Sequence, residues 1–523
     1  MSTASKRWVY ALWLLLICAF ALLHAVHLSA DFPNHTPWFR DWAKYTDEGW
    51  YGNAAIRAHL FGNWYLPGDF NPAPAVPVWP FLEWLLFFFT GVSIPAARGL
   101  AVAFFFANLL LSYLLLRQPG RRWVAFMALT LLVTSPFLYC FSRLAILEPM
   151  LTTFTLGALN LAVRLPKLRR PVWAAVAVGL LFTLMMLTKT TAIFLLPALG
   201  WATLQPLWKN RKLALRCVIA AAATSAVTFG IWMSMVVSIG LFVDYRYLFY
   251  INTYPKPRNL YWPFLSLWWS VHGGLWVDHI LIPLAGFMVL GALLAWHKWG
   301  RDLFLDPAFG ASMFAVAGYI LFMTWQDHPQ PRYFAVVAVF CFFLVAKGAA
   351  ALLTQEGIPR QLGWATLVLA ASAVIVNGAW TLSYAAHPEY TFVSAARELT
   401  QYIDQHPNGN RLLVSISGDE ITLATHLPTL CDDFGTEELP EKLARYQPGW
   451  YASWNDLDPG TLGDLHTHYS LEQVASFPAF DDPERNVLVL FKLQPLSKGR
   501  VRDQADQSLE IPLPGDRIDV PLQ

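Results

Sequence analysis

Charge is scarce in this chain: 14% of its 523 residues are charged, and the formal net charge is only +2. So small an excess, spread over short basic clusters, excludes a nucleic-acid partner recognised through one basic face. Cysteine is scarcer still. Of the 5 present, Cys18, Cys140, Cys217 and Cys341 lie within or at the ends of apolar runs, and Cys431 stands in a polar region. Neither a disulfide framework nor a metal-ligand spacing can be built from them. No internal repeat is found, and the C-terminal segment has neither a glycine-rich phosphate loop nor a nucleophile constellation.

What remains is apolar: 56% of the residues are hydrophobic, with 24 Trp and 36 Phe. Apolar runs recur at about 8–28, 99–116, 123–141, 144–163, 172–188, 191–208, 217–243, 277–297, 308–325, 333–353 and 363–385, most of them long enough to cross a bilayer. The expected fold is therefore mainly α, a polytopic membrane helical bundle of about eleven spans plus interfacial helices. The first run follows Lys6-Arg7 and no small-residue cleavage site follows it, so it reads as a retained anchor. Val76 to Phe89 is ambiguous, because it opens in the proline-rich Asn71-Pro-Ala-Pro-Ala-Val-Pro and carries Glu83 in its middle. Placing it in the interface puts Lys6, Arg7, Arg117 to Arg122, Arg164 to Arg170, Lys209 to Arg216, Lys298, Arg301, Lys347 and Arg360 on one, cytoplasmic side. The segments 29–77, 143–148, 244–276 and 326–332 then face outward, as does the C-terminus.

From about His387 the composition changes. Residues 411–416, 449–454 and 486–491 read as strands and 393–405 and 437–446 as helices, giving a small extracytoplasmic α/β domain over 387–496 after a membrane domain over 1–386, whose first outer loop is 29–98. The remainder, 497–523, reads as a loosely ordered tail.

Unusual polar residues gather on the outer face: Asp47, Glu48, Arg57, Arg98, Arg143, Glu148, Lys189, Arg246, Asp327, His328 and Arg332. A charge without water or partner in a span costs about 2.5–3.5 kcal/mol on insertion scales. Snorkelling to headgroups accounts for any one of them. Opposite signs on one face suit a different task, transfer of a group from a lipid phosphate to a hydroxyl. A carboxylate takes the hydroxyl proton as attack proceeds, and fixed cations stabilise the departing phosphate.

Thr46-Asp-Glu-Gly-Trp-Tyr-Gly-Asn-Ala-Ala, Gly62-Asn-Trp-Tyr-Leu-Pro, the proline-rich stretch and Gly91-Val-Ser-Ile-Pro-Ala-Ala-Arg98 resemble the first outer loop of GT-C glycosyltransferases. The resemblance is to the group containing protein O-mannosyltransferases and lipid A aminoarabinose transferases. Ser142-Arg-Leu-Ala-Ile-Leu-Glu-Pro is similar to its second acidic motif and Leu187-Thr-Lys189 to its following turn. The likeness covers about the first 210 residues and implies an inverting transferase using a polyprenyl-phosphate sugar, without a nucleotide-sugar site. It implies Asp47 as base, Glu48 as the neighbour shaping the site and Glu148 as the second acid. Asn71 stands where the group often has Lys, and Glu148 where it usually has Asp, which moves phosphate binding to other cations. Arg143, Lys189, Arg332 and Arg246 are the physical candidates for that contact. Tyr51, Arg98, Tyr247, His328 and Tyr333 are the candidates for sugar and acceptor. No cofactor is implied, since the lipid-linked sugar is a substrate; a divalent metal is left open, with no second His at ligand spacing.

Each candidate has a plainer account. Thr46-Asp47-Glu48 also fits a helix N-terminus, Glu148-Pro149 a helix start, Lys189 a turn, and Asp327-His328 a helix end. The aromatic segment 244–276 reads as a loop of about thirty residues, long enough to be a lid, or as an interfacial belt. The expected partners are the bilayer, a polyprenyl-phosphate sugar, and a lipid, glycan or protein acceptor, at a bacterial inner membrane with a cytoplasmic N-terminus. A transporter or flippase of lipid-linked sugars and a non-catalytic envelope scaffold are the competing readings.

Overall fold

The computed structural model describes residues 3–251, 261–326, 330–482 and 485–496. The expected tail, Asp327 and His328 fall outside them. The N-terminal part runs α1 (Thr3–Leu23), α2 (Asp47–Phe61), α3 (Val78–Thr90), α4 (Ile94–Leu116), α5 (Arg122–Thr134), α6 (Pro136–Ser142), α7 (Glu148–Ala162), α8 (Pro171–Thr188), α9 (Leu196–Leu204) and α10 (Arg211–Ser238). It continues with α11 (Phe242–Arg246), α12 (Tyr261–Val277), α13 (Leu281–Leu294), α14 (Arg301–Phe304), α15 (Pro307–Gln326), α16 (Phe334–Leu352) and α17 (Ile358–Ala386).

Among the described residues seven helices are long and apolar enough to cross a membrane, or nine if two bent pairs each count as one span. The chain is an integral membrane protein. The first bent pair, α5 and α6, turns by 68° at Ser135-Pro136, where the serine hydroxyl caps the new helix by accepting from Leu138 N. Proline has no amide to donate, so it is suited to the first turn after such a break. In a bilayer the apolar side chains of a lipid-facing helix point outward, as Leu215, Ile219, Val227 and Ile231 of α10 do. The helix α16 is the opposite case: 94% of its apolar window is buried, and the other helices pack around it.

The segment 244–276, expected as a loop, is largely helical in its described parts. It contains α11, a π-helical turn over Tyr247–Ile251, and α12. Aromatic residues on every side of these helices hide the amphipathic period that would announce them. The run 144–163 is likewise shorter than expected, with α7 beginning only at Glu148. At about 1.5 Å per residue, α3 reaches only about 20 Å, short of a hydrocarbon core of about 30 Å.

The C-terminal part holds α18 (Thr391–Gln405), α19 (Gly418–Thr425), α20 (Leu439–Tyr446), α21 (Pro459–His466) and a five-stranded sheet. Its strands are β1 (Leu413–Val414), β2 (Thr429–Leu430), β3 (Trp450–Trp454), β4 (Tyr469–Pro478) and β5 (Val487–Pro495), in the order β2-β1-β3-β5-β4. The strand β1 runs parallel to β2 and β3, and the β3-β5-β4 side is antiparallel. This α/β unit sits on the segment between α1 and α4: Asp31 Oδ2 accepts from Phe392 N at 2.9 Å, Lys44 pairs with Asp482 at 2.8 Å, and Asp69 Oδ1 accepts from Cys431 N at 3.1 Å.

Glu48 and Arg98 are paired, so the chain between them leaves and returns to one side. In a Cys18→Ser background, single cysteines at Asn63 and Arg122 should react with an impermeant maleimide from opposite sides of sealed, uniformly oriented vesicles. Labelling of both from the same side would break this topology.

Candidate active site

The first turn of α2 sends its side chains in different directions, about 100° apart from one residue to the next. Glu48 points into the bundle, fully buried. Its Oε1 accepts from Arg98 Nε at 2.7 Å and from Ala145 N at 2.7 Å, and its Oε2 accepts from Arg98 at 2.5 Å. Arg98 also donates to the carbonyls of Leu28, at 3.0 Å, and Ala30. A bidentate fork with its remaining donors satisfied is the arrangement in which a buried ion pair is tolerable. Thr46 does precede the helix, but makes no side-chain cap; its hydroxyl donates to Trp42 O instead.

Asp47, 1% exposed, faces another way. Its Oδ2 lies 3.0 Å from Arg332 Nε. Arg332 is held in turn by Asp41, whose Oδ1 accepts from the guanidinium at 2.6 Å and whose Oδ2 accepts from the Arg332 backbone N–H at 2.7 Å. Burial pushes the Asp47 carboxyl upward and Asp41 adds to the effect, while Arg332 and Lys189 oppose it. On the other wall, Glu148 at the start of α7 is ion-paired with Lys189, which ends α8 and lies 4.8 Å from the Tyr333 ring centre. Glu148 Oε2 is buried and has no hydrogen-bond partner among the described residues.

Of these groups Asp47, Lys189 and Arg332 border a cavity of about 530 Å³, while Asp41 and Glu148 reach it only through the cations they pair with. Asp47, Tyr51, Lys189, Arg332 and Tyr333 line it, together with aromatic residues of α2 and the π-helical turn. Burial, with the Asp47 charge next, raises the Tyr51 hydroxyl well above its ordinary range, so it stays a neutral hydrogen-bonding group. The C-terminal domain closes one side through Asp433 and Phe434, the latter stacked edge-on against Trp50 at 4.6 Å. A carboxylate, two cations and neutral hydroxyls on one enclosed surface can accept a proton and hold an anion at once.

Several expected contacts lie elsewhere. Arg143, expected at a phosphate, donates to Val26 O and His27 O, each at 2.6 Å, and to the Tyr139 hydroxyl. The backbone carbonyls past the end of α1 capture it. Arg98, expected at substrate, is committed to Glu48. Arg246 is exposed at the end of α11 and does not line the cavity, and half-buried Tyr247 yields its place there to Leu248 and Phe249. His328 lies outside the described residues. Sequence reasoning missed Asp41, Trp42, Trp50, Thr190, Thr191, Asp433 and Phe434. The charged run Arg40-Asp41-Trp42-Ala43-Lys44, just ahead of Asp47, was the available signal for the first two. Among the described residues no group of three or more His, Cys, Asp or Glu could hold a metal ion.

Residues 72–234 match the family model described as dolichyl-phosphate-mannose-protein mannosyltransferase. Among solved structures, ArnT from Cupriavidus metallidurans in the apo state superposes with a TM-score of 0.62 at 14% identity, over 93% of this chain and 98% of that one. The same protein bound to undecaprenyl phosphate gives 0.61 at 14% identity, over 91% and 98%. The Archaeoglobus fulgidus oligosaccharyltransferase in its apo form gives 0.53 at 13% identity, over 93% and 74%. The chain has the GT-C fold. No curated protein matches the sequence. The matched segment begins after the Asp47 turn and ends before Arg332, so it includes neither.

Removing one partner of a buried fork strands the other charge, at a cost of about 3–5 kcal/mol. Arg98→Ala should therefore lower the thermal unfolding temperature in detergent far more than Arg246→Ala, which removes an exposed side chain. Equal effects would mean the fork does not anchor α2.

Proposed function

We propose that this protein is a membrane glycosyltransferase that moves a sugar from a polyprenyl-phosphate carrier to a hydroxyl acceptor on the extracytoplasmic side. The observation that carries the reading is the buried Asp47 carboxylate sharing one cavity with Lys189 and Arg332. The acceptor oxygen attacks the anomeric carbon, the bond from that carbon to the phosphate oxygen breaks, and Asp47 receives the hydroxyl proton. A single displacement inverts the anomeric centre. Lys189 and Arg332 are suited to the leaving phosphate, and Glu148 holds Lys189 in place. The GT-C fold and the matched mannosyltransferase segment support the class of reaction. A neighbour of the same fold binds undecaprenyl phosphate, which supports a carrier of that kind.

Fixing the donor sugar and the acceptor needs an assay. Purified protein is incubated with radiolabelled polyprenyl-phosphate sugars and extracted envelope acceptors. Asp47→Asn should lower kcat by about 10²–10⁴-fold, the usual contribution of a positioned base, with undecaprenyl phosphate binding unchanged. Wild-type rates in Asp47→Asn would remove it from the chemistry. Lys189→Met should instead weaken undecaprenyl phosphate binding, and unaltered affinity would take Lys189 out of the phosphate site.

The pH dependence follows from the same carboxylate. A base works only when ionised, and burial raises Asp47, so kcat/KM should fall as pH is lowered through a value above the ordinary carboxylate range. An acid limb at or below that range would contradict the assignment.

A further inference from the structure

A second face of α2 meets the C-terminal domain. Gly49, Asn53 and Arg57 follow one another at one-turn intervals. Gly49 N donates to Glu420 Oε2 at 2.9 Å, Asn53 to Asp419 Oδ2 at 3.1 Å, and Arg57 to Thr429 O at 3.1 Å. A Cβ on Gly49 would stand 2.2 Å from the Asp419 carbonyl carbon and 2.3 Å from Glu420 N, so only glycine lets the two backbones approach.

The opening amides of a helix have no intrahelical acceptor, and Thr46 supplies none here. Glu420, 1% exposed, supplies one from a different domain. Arg98 holds the neighbouring Glu48 from the far side. Burial first, and then the Glu48 charge, push Glu420 well above the ordinary carboxylate range against the pull of Arg98.

We propose that Glu420 is a positioning residue for Asp47, a buried carboxyl that accepts from the Gly49 amide and so fixes the turn that presents the base. The inference rests on the reading of Asp47 as that base. It makes the C-terminal domain part of the catalytic apparatus and gives the Asp-Glu-Gly order a purpose: base, anchor, contact.

Gln keeps the shape of Glu and the oxygen that accepts from the Gly49 amide, whereas Ala removes it. The test compares wild type, Glu420→Gln, Glu420→Ala and Gly49→Ala as full-length protein in detergent, by hydrogen–deuterium exchange of the peptide spanning 46–52. Undecaprenyl phosphate binding and the transfer assay are run alongside. Glu420→Gln should keep wild-type protection and kcat. Glu420→Ala and Gly49→Ala should lose protection and lower kcat by about 100-fold, the scale of a misplacement near 1 Å, while undecaprenyl phosphate affinity holds, because Lys189 and Arg332 lie on other segments of the chain.

Wild-type protection in Glu420→Ala, or a Glu420→Gln variant as unprotected as Glu420→Ala, overturns the proposal. Glu420→Ala decides the matter if Gly49→Ala does not fold. Should the wild type transfer no sugar, the glycosyltransferase reading fails, and exchange still decides whether Glu420 holds the turn.

Discussion

The Arg98–Glu48 fork is the interaction on which the rest of the site depends. A charge buried in a poorly hydrated interior must find its counterpart, and Glu48 finds a guanidinium and a backbone amide. Once Glu48 is fixed, the helical repeat leaves its neighbours little freedom. Asp47 must face the cavity, Gly49 the C-terminal domain, and Gly52 the Glu83 carboxyl of α3, which a Cβ at that position would approach to 2.3 Å. Rotating α2 by one residue would bury Asp47 against Arg98 and press Glu48 into the Asp419–Glu420 backbone that only Gly49 can approach. The adjacent acids are therefore not interchangeable: one is forked to Arg98 and the other lines the cavity.

Much of this was legible in one dimension, and the failures have identifiable causes. The membrane bundle is visible in the recurrence of apolar runs, and the outer gathering of Asp47, Glu148, Lys189 and Arg332 in charges at helix ends. What sequence cannot distinguish is one helix-end arginine from another. Arg98, Arg143 and Arg332 look alike in the sequence, yet one meets a carboxylate, one meets the carbonyls after α1, and one meets two carboxylates beside a cavity. The difference lies in partners 50 to 291 residues away. Asp433 and Phe434 were invisible for the same reason, since only the docking of the C-terminal domain brings them to the cavity.

That domain was expected from a change of composition, and the strand runs 411–416, 449–454 and 486–491 fall on β1, β3 and the start of β5. The two-residue β2 was not separable by pattern, being shorter than any alternation. The strand β4 escaped because its burial scarcely alternates along its ten residues. The contacts the domain makes with the segment between α1 and α4 include two buried ion pairs, Lys44 with Asp482 and Lys442 with Asp69, all four side chains at most 2% exposed. Buried pairs between two units fix their mutual position more sharply than apolar contact, because a small displacement strands a charge. The aromatic wall of Trp50, Phe70 and Phe434 then fills the space between them.

The charges around the cavity also suit the proposed displacement. Asp41, Asp47 and Glu148 stand against Arg332 and Lys189, so no cation there is idle before a donor arrives. A sugar joined through phosphate to a lipid carries about one negative charge, and the released monoester approaches two at neutral pH. During the same step Asp47 takes up a proton and loses its own charge. The total within the cavity is then unchanged, and a low-dielectric site is spared an added uncompensated charge at the moment of transfer. As Asp47 becomes neutral its hold on Arg332 weakens, and the guanidinium is released toward the phosphate just as that group gains charge. An asparagine in its place would leave the acceptor proton and the new phosphate charge both without a destination.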